Sequence, residues 1–346
     1  MQKIPVEKLP QLYAAMNGDR QLWLPVDKDG RVEFGLWADG AKVSLEGKTG
    51  KSGKDFFFPQ TEDIVAFKTT GKEIAINPAP RPDAPFVVFG MRGCDAAGME
   101  VLDLVFLAEP KDHFYEARRQ AGTVVTVACG RPDDSCFCSA FDIDPAAPAG
   151  DVNAWLIGDT LYWSPVTEKG AKLTGELGGL LEDAGEAGAT AVAEEKERIA
   201  KTVGALPFNG LTPPQVTEQE LEAYFESPVW AKLSESCLGC GTCTFVCPTC
   251  QCYDIQDRES AGGIRRYRCW DSCMYSDFTL MAHGNIRNTQ LQRFRQRFMH
   301  KLVYFPINNA GKYSCVGCGR CVEKCPSSLN IVKVMKSMRP GAPNPA

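Results

Sequence analysis

The chain has 346 residues, a formal net charge of −5 and sixteen cysteines. This length suits about two domains, each with its own core, and the acidic balance does not favour nucleic acid as a partner. The longest apolar stretches, such as PFVVFG and TVVTVAC, fall far short of the roughly 20 residues that span a bilayer, so we expect no membrane association.

The cysteines predict metal rather than disulfides. The start, MQKIPVEKLP, lacks the basic segment leading into an apolar one that marks a secretory signal, so we expect a cytoplasmic protein. Cytoplasmic thiols stay reduced, and sixteen of them are better explained by metal binding. The composition therefore also predicts an anaerobic physiology.

The first half of the chain predicts strands followed by a βαβ unit. The runs VEFGLW, DFFFP, DIVAFK and EIAI predict hairpins within the first 80 residues. Apolar runs at 86–90 and 123–128 flank a helix-periodic segment from Asp95 to Leu107, which predicts two parallel strands and a crossover. Residues 155–163 predict a further hairpin around Gly158 and Asp159.

Four cysteines are predicted to meet at one edge of this βαβ sheet. Cys94 follows the first strand and Cys129 ends the second, and parallel strands joined by a crossover end at the same edge. Cys136 and Cys138 lie in the next loop. We name Cys94, Cys129, Cys136 and Cys138 site 3 and expect a 4Fe-4S cluster there. Tetrahedral zinc and plain buried thiols remain open for this set.

The middle of the chain predicts a connector. Residues 168–201 are rich in Ala, Gly and Glu, which is typical of a solvated helix or a covering segment, and 205–216 is the expected domain boundary. Thr217 and Glu220 form an S/T-x-x-E capping box that predicts a helix start.

Two copies of the run C-x2-C-x2-C-x3-C-P occupy the last third of the chain. In bacterial ferredoxins, three cysteines of such a run hold one 4Fe-4S cluster and the fourth holds the other. Crossed ligation predicts site 1 at Cys237, Cys240, Cys243 and Cys325, and site 2 at Cys315, Cys318, Cys321 and Cys247. Structural zinc is the alternative, although zinc sites usually pair two C-x2-C knuckles.

Four cysteines remain, and they lie between the two runs. Cys250, Cys252, Cys269 and Cys273 form either a fourth ligand set or thiols packed beside a cluster.

Residues 278–322 carry no Asp or Glu and seven Lys or Arg. Apolar residues recur there at three- and four-residue steps, which predicts an amphipathic basic helix over 285–305. Its cations offset nearby clusters or dock an acidic partner; nucleic-acid binding is the alternative.

Several catalytic signatures are missing from the sequence. No G-x-G-x-x-G follows a strand, and the Gly-Lys pairs within residues 47–54 do not match a P-loop. The three histidines show no metal or triad spacing. We therefore expect no catalytic residue and no flavin or nicotinamide site, and we predict a non-catalytic carrier of single electrons.

The blocks FGMRGCDAAGMEVLD, VACGRPDDSCFC, CLGCGTCTFVCPTCQCYD, CWDSCM, RFRQRFMHK and CVGCGRCVEKCP resemble one protein family. It comprises the iron–sulfur beta subunits of cytoplasmic NiFe (sulf)hydrogenases, the related iron–sulfur subunit of anaerobic sulfite reductase, and the iron–sulfur subunits of flavin oxidoreductases linked to heterodisulfide reductase. The resemblance spans residues 85–140 and 217–335. It implies an electron-transfer subunit that lies between a partner binding FAD and NAD(P) and a catalytic subunit of hydrogenase, sulfite reductase or heterodisulfide reductase type, with soluble ferredoxin as a further carrier.

The expected architecture is α+β. An N-terminal mixed α/β domain (1–165) carries site 3 at a sheet edge, and a connector (166–216) leads to a mostly helical, ferredoxin-like dicluster domain (217–338) with an insertion at 250–312. A disordered tail is expected at 339–346. The alternative function is a cluster-bearing regulator or nucleic-acid binder that uses the basic helix.

Overall fold

A computed structural model describes residues 1–338, so the predicted disordered tail lies outside the described residues. Within that range no helix is long and apolar enough to cross a membrane. The strands are β1 Gln2–Pro5, β2 Gln21–Lys28, β3 Arg31–Leu36, β4 Thr61–Thr70, β5 Glu73–Pro78, β6 Phe86–Met91, β7 Gly122–Val127, β8 Val152–Ile157, β9 Thr160–Pro165, β10 Glu182–Asp183, β11 Tyr253–Ser260, β12 Gly263–Trp270, β13 Leu280–Met281 and β14 Gly284–Asn285. The helices are α1 Leu9–Met16, α2 Gly93–Phe106, α3 His113–Ala121, α4 Glu168–Glu176, α5 Gly185–Gly204, α6 Leu221–Phe225, α7 Val229–Ser234, α8 Thr242–Phe245, α9 Gln290–Met299, α10 Phe305–Asn308, α11 Arg320–Glu323 and α12 Ile331–Ser337.

An eight-stranded mixed sheet organises the N-terminal half, in the order β10-β1-β9-β8-β7-β6-β2-β3. Strands β2, β6, β7 and β8 pair in parallel, and α2 and α3 form the crossover between β6 and β7. The predicted βαβ unit is therefore confirmed. The predicted hairpin around Gly158 is β8 and β9, which pair from Val152 to Pro165.

Helices cover this sheet on both faces, because its central strands are apolar on both sides. One core packs α1 and α4 against the sheet, with Leu12 and Leu173 among its buried residues. The opposite core packs α2 and α3 and buries Leu102 and Tyr115. The predicted connector is thus α4, β10 and α5, which cover and extend the sheet.

A second sheet draws its strands from both halves of the chain. Its order is β11-β12-β4-β5, and Thr61 in β4 pairs with Cys269 in β12. Arg268 anchors the pairing because its guanidinium donates to Glu62 at 2.7 Å and also binds Asp112. The segment expected to be an insertion is therefore fastened to the N-terminal half.

Two local expectations were wrong. DFFFP is not a strand, because residues 53–56 form a single 3-10 turn that buries Phe57 and Phe58 under the sheet. The basic helix begins at Gln290 and not at 285, since Thr289 caps it in a box with Gln292.

A π turn over His300–Tyr304 joins α9 to α10. The capping box at Thr217 and Glu220 forms as predicted.

Candidate metal centres

The structure gathers the four cysteines of site 1 around one cavity. Cys237 follows α7, Cys243 lies on α8, and Cys325 arrives from the second run. Phe294 and Phe298 of α9 also line this cavity.

The four cysteines of site 2 line a separate cavity. Cys321 lies on α11, the counterpart of α8 in the second run, and Cys247 comes from the first run. The fourth cysteine of each run therefore lies with the first three of the other, in the crossed arrangement that the spacing predicts.

Site 3 is a third cavity of the same kind. Cys94 lies in the first turn of α2 after β6, and Cys129 lies just beyond β7. Cys136 and Cys138 lie on the following loop, and all four line the cavity. The common sheet edge brings them together, as the parallel topology requires.

The three cavities follow one another in series. Arg297 lines the cavities of sites 1 and 2, and Cys318 lines those of sites 2 and 3. The Cys136 thiol lies 3.8 Å from the Cys318 carbonyl oxygen, and the Phe137 N–H donates to the Gly317 carbonyl at 2.8 Å. The backbone of the second run therefore touches the loop of site 3 directly.

Buried cations lie beside these thiols. Lys301 is only 3% exposed, and its ammonium lies 3.4 Å from Cys247 Sγ while donating to Ser314 O at 2.8 Å. Burial disfavours its charge, but the thiolates of Cys247 and Cys250 outweigh this and raise the pKa of Lys301. A permanent positive charge thus offsets anionic sulfur at site 2.

Arg297 provides a test of whether an anionic group fits these cavities. Its side chain is buried and donates to Cys243 O at 3.3 Å. Within residues 1–338, its Nε has no hydrogen-bond acceptor. A buried donor without a partner is rare and costly, and an anionic group held in either cavity that Arg297 lines would offer it an acceptor.

Two further cations come from the Gly-Lys segment, whose role the sequence did not reveal. Lys48 Nζ lies 3.5 Å from Cys136 Sγ and 2.7 Å from Asp133. Lys54 Nζ donates to Cys250 O at 2.9 Å and lies 3.5 Å from the Trp270 ring centroid. The repeated Gly-Lys pairs that fail as a P-loop are the one signal that could have indicated these positions.

The thiols need metal or cations to ionise in these cavities. Burial raises the pKa of Cys138 and that of Cys315 to about 12, and it raises the pKa of Cys94 well above its ordinary value. Metal binding must displace these protons. Cys247 differs because a hydrogen bond from Cys250, together with Lys301, lowers its pKa.

The donor geometry fits a multi-atom group better than a single ion. Tetrahedral zinc needs four sulfurs about 2.3 Å from one point. Among residues 1–338, no three His, Cys, Asp or Glu side chains converge closely enough to hold one metal ion. Four cysteines spread around each cavity match the wider spacing at which thiolates hold a 4Fe-4S cluster.

The remaining four cysteines do not form a single set. Cys250 pairs with Cys247, and Cys252 pairs with Cys273 by hydrogen bonding. Cys269 stands apart on β12, opposite Asp254 of β11 and Thr61 of β4. Of these four cysteines, Cys250 therefore contacts a site 2 ligand, Cys252 and Cys273 contact each other, and Cys269 is isolated.

The basic helix directs its cations into the protein. Arg295 stacks on the Phe225 ring at 3.5 Å and donates to Phe225 O, and Arg293 donates to backbone carbonyls including Met274 O. Arg297 and Lys301 are buried. This arrangement matches cations that offset clusters and gives no support to a phosphate-binding surface.

A fold with two ferredoxin-type cysteine runs and cations beside their sulfurs defines an iron–sulfur electron-transfer protein. The family model for a 4Fe-4S dicluster domain matches residues 236–329. The chain is 38% identical over 262 residues to sulfhydrogenase 2 subunit beta of Pyrococcus furiosus, an alignment that covers 75% of each protein. The chain belongs to the iron–sulfur beta subunit family of sulfhydrogenases.

Proposed function

We propose that this chain relays single electrons through three 4Fe-4S clusters, with an FAD- and NAD(P)-binding subunit on one side and a catalytic redox subunit on the other. The catalytic subunit is of hydrogenase, sulfite reductase or heterodisulfide reductase type, and a soluble ferredoxin is a further electron carrier for the complex. The observation that carries the proposal is the series of three cavities, each lined by the four cysteines of one site and joined through Arg297 and Cys318.

A 4Fe-4S cluster accepts and donates one electron at a time. The residues of this chain would hold each cluster through four thiolates and exclude water from site 2, where Cys247 and Cys318 are buried. Lys301 would stabilise the added negative charge at site 2, and Lys48 would do so at site 3.

The position of the sites supports a path across the molecule. Cys240 of site 1 is exposed, and the site 3 cavity is bordered by Arg131, which is 77% exposed in its side chain. Site 2 lies between them. Electrons would enter near one end and leave near the other.

We further propose that residues 1–165 and 217–338 act as two domains joined by 166–216, and that the protein works in the cytoplasm, where its thiols stay reduced. We expect the isolated chain to bind neither flavin nor nicotinamide.

Interruption of the central site tests the relay. We expect Cys321→Ser to abolish NAD(P)H-driven turnover of the assembled complex while dithionite still reduces sites 1 and 3, as followed by EPR. Cys269→Ser removes an isolated thiol and serves as the control, with turnover unchanged. Full turnover of the Cys321→Ser complex would contradict a relay through site 2.

A further inference from the structure

The surface beside site 1 differs from the rest of the cysteine-bearing region. Cys240 is exposed, whereas the other fifteen cysteines are buried or half-buried. Tyr275 covers one side of its loop by donating to Cys240 O at 3.2 Å. Site 1 is thus the centre with the least protein between its sulfur ligands and solvent, and this is where a partner could approach most closely.

Exposed apolar side chains surround this point. Leu238, between two site 1 cysteines, is 69% exposed and lines one groove together with Leu280, which is 61% exposed. Met281 and Ile286, on and after the small hairpin β13–β14, are 54% and 60% exposed. Isolated exposed apolar residues are ordinary, but a group around one groove marks an interaction surface.

The same groove is acidic. Asp254, Asp271 and Asp277 line it, and their carboxylates accept hydrogen bonds from neutral donors, among them the N–H groups of Ile255 and Ser272. Arg293 also lines the groove, but its guanidinium donates to backbone carbonyls. Three carboxylates beside an anionic cluster favour a positively charged partner surface.

We propose that this face, which we call the site 1 face, docks a redox partner protein whose contact surface is apolar and bordered by Lys or Arg. The inference rests on the proposed relay function and adds the location and chemistry of one of its docking surfaces. An acidic partner would meet three carboxylates, and a second copy of this chain would bring the same carboxylates against themselves.

Reduction of a basic acceptor tests the charge of this face. The probe is cytochrome c, a basic haem protein, mixed anaerobically with the dithionite-reduced full chain in a stopped-flow instrument. We expect Asp254→Asn/Asp271→Asn/Asp277→Asn to slow cytochrome c reduction by about tenfold at low salt and to flatten its salt dependence.

The matched control is Glu186→Gln/Glu194→Gln/Glu197→Gln on α5, which removes the same three charges from exposed positions. We expect it to change the rate less than about twofold, because these carboxylates lie outside the groove. Equal slowing by both triple variants, or no slowing by the first, would overturn the charge assignment.

A second pair of variants tests the apolar contact. We expect Leu280→Glu/Met281→Glu to slow cytochrome c reduction at high salt, and Ile74→Glu/Ile76→Glu on the exposed strand β5 to leave it unchanged. Sedimentation that shows a dimer lost only in Leu280→Glu/Met281→Glu would overturn the proposal in favour of a second copy of the chain.

Failure of the relay itself has a different signature. A small neutral quinone reports whether every variant still holds reducible clusters, independently of docking. If the unmodified chain reduces neither the quinone nor cytochrome c, the proposed function fails and the docking proposal fails with it. If the unmodified chain reduces both acceptors but the substitutions leave the rate of cytochrome c reduction unchanged, only the docking proposal fails.

Discussion

Lys301 is the residue whose charge should matter most to one cluster. Its ammonium is buried 3.4 Å from Cys247 Sγ. Interaction of a unit charge with an electron about 5 Å away amounts to about 3 kcal/mol at an effective dielectric of ~20, which corresponds to a potential on the order of 100 mV.

We therefore predict that Lys301→Gln lowers the reduction potential of the site 2 cluster by roughly this amount. Lys301→Arg should retain the potential because it keeps the charge. Lys312→Gln, which removes an exposed lysine paired with Glu100, is the control. EPR-monitored redox titration measures all three, and an unchanged potential in Lys301→Gln would exclude this electrostatic role.

Cys252 and Cys273 give a pH-dependent prediction. The Cys273 thiol donates to Cys252, and this hydrogen bond lowers the pKa of Cys252 against the opposing effect of burial, while the pKa of Cys273 is raised. A lowered pKa leaves Cys252 more ionised than an ordinary thiol near neutral pH, and the thiolate is the reactive form.

We expect iodoacetamide to modify Cys252 faster than Cys273 at neutral pH in the cluster-loaded chain, as measured by peptide mass spectrometry. Cys273→Ala should move the midpoint of the pH dependence up by about one unit, since a hydrogen bond to a charged group is lost. Cys273→Ser keeps a donor and should retain the lower midpoint. Equal modification of Cys252 and Cys273 at neutral pH would contradict the prediction.

At the scale of elements, the second cysteine run packs backbone against backbone on the loop of site 3. A Cβ on Gly317 would lie 2.7 Å from Cys138 Cα and would also clash with Phe137 O. Gly239 holds the equivalent position in the first run with a similar positive φ, yet a Cβ there meets nothing closer than Gln290 at 3.9 Å.

Substitution of these two glycines separates the effect of a steric clash from the effect of backbone strain. We predict that Gly317→Ala loses iron from sites 2 and 3, because the two loops can no longer approach. Gly239→Ala should keep its iron and lose only about 1 kcal/mol, the usual cost of a side chain in the left-handed region. Iron analysis and thermal unfolding of both variants give the comparison, and equal iron content would contradict the packing argument.

Helices α2 and α11 are joined by a buried ion pair. Arg320 donates to both carboxylate oxygens of Asp95 at 2.6 and 3.1 Å, and the two side chains are at most 1% exposed. Removal of one partner leaves a buried charge without compensation, which typically costs 3–5 kcal/mol.

We predict that Asp95→Ala destabilises the chain by about 3–5 kcal/mol and that Asp95→Ala/Arg320→Met recovers much of this loss. The exposed pair Arg131–Glu46, at 3.2 Å, provides the control. Glu46→Ala should change the free energy of unfolding by less than about 1 kcal/mol. Thermal unfolding under argon at one fixed scan rate ranks the variants, and similar losses for Asp95→Ala and Glu46→Ala would contradict the prediction.

At the scale of the whole molecule, local patterns predicted most of what positions the cavities. The apolar runs before Cys94 and Cys129 indicated parallel strands, and parallel strands bring their ends to one edge. The duplicated runs predicted which cysteines meet, because that spacing encodes crossed ligation.

Long-range pairing left no local signal. Nothing in the sequence near Thr61 or Cys269 indicates that β4 and β12 pair across some 200 residues. The Gly-Lys pairs at 47–54 were considered only as a P-loop, and the fold alone brings Lys48 to Cys136 and Lys54 to Cys250. The DFFFP segment has high strand propensity, which led to the wrong prediction. Burial of Phe57 and Phe58 under the sheet determined its conformation instead.

The central claim is that three 4Fe-4S clusters share this chain, and metal analysis tests it most directly. Iron, acid-labile sulfide and zinc are counted per chain after strictly anaerobic purification, with EPR of the dithionite-reduced sample. We predict about twelve irons and twelve sulfides with magnetically interacting signals, since each cluster contributes four of each. About eight irons with one zinc would contradict a cluster at site 3, and zinc without sulfide would contradict the electron relay altogether.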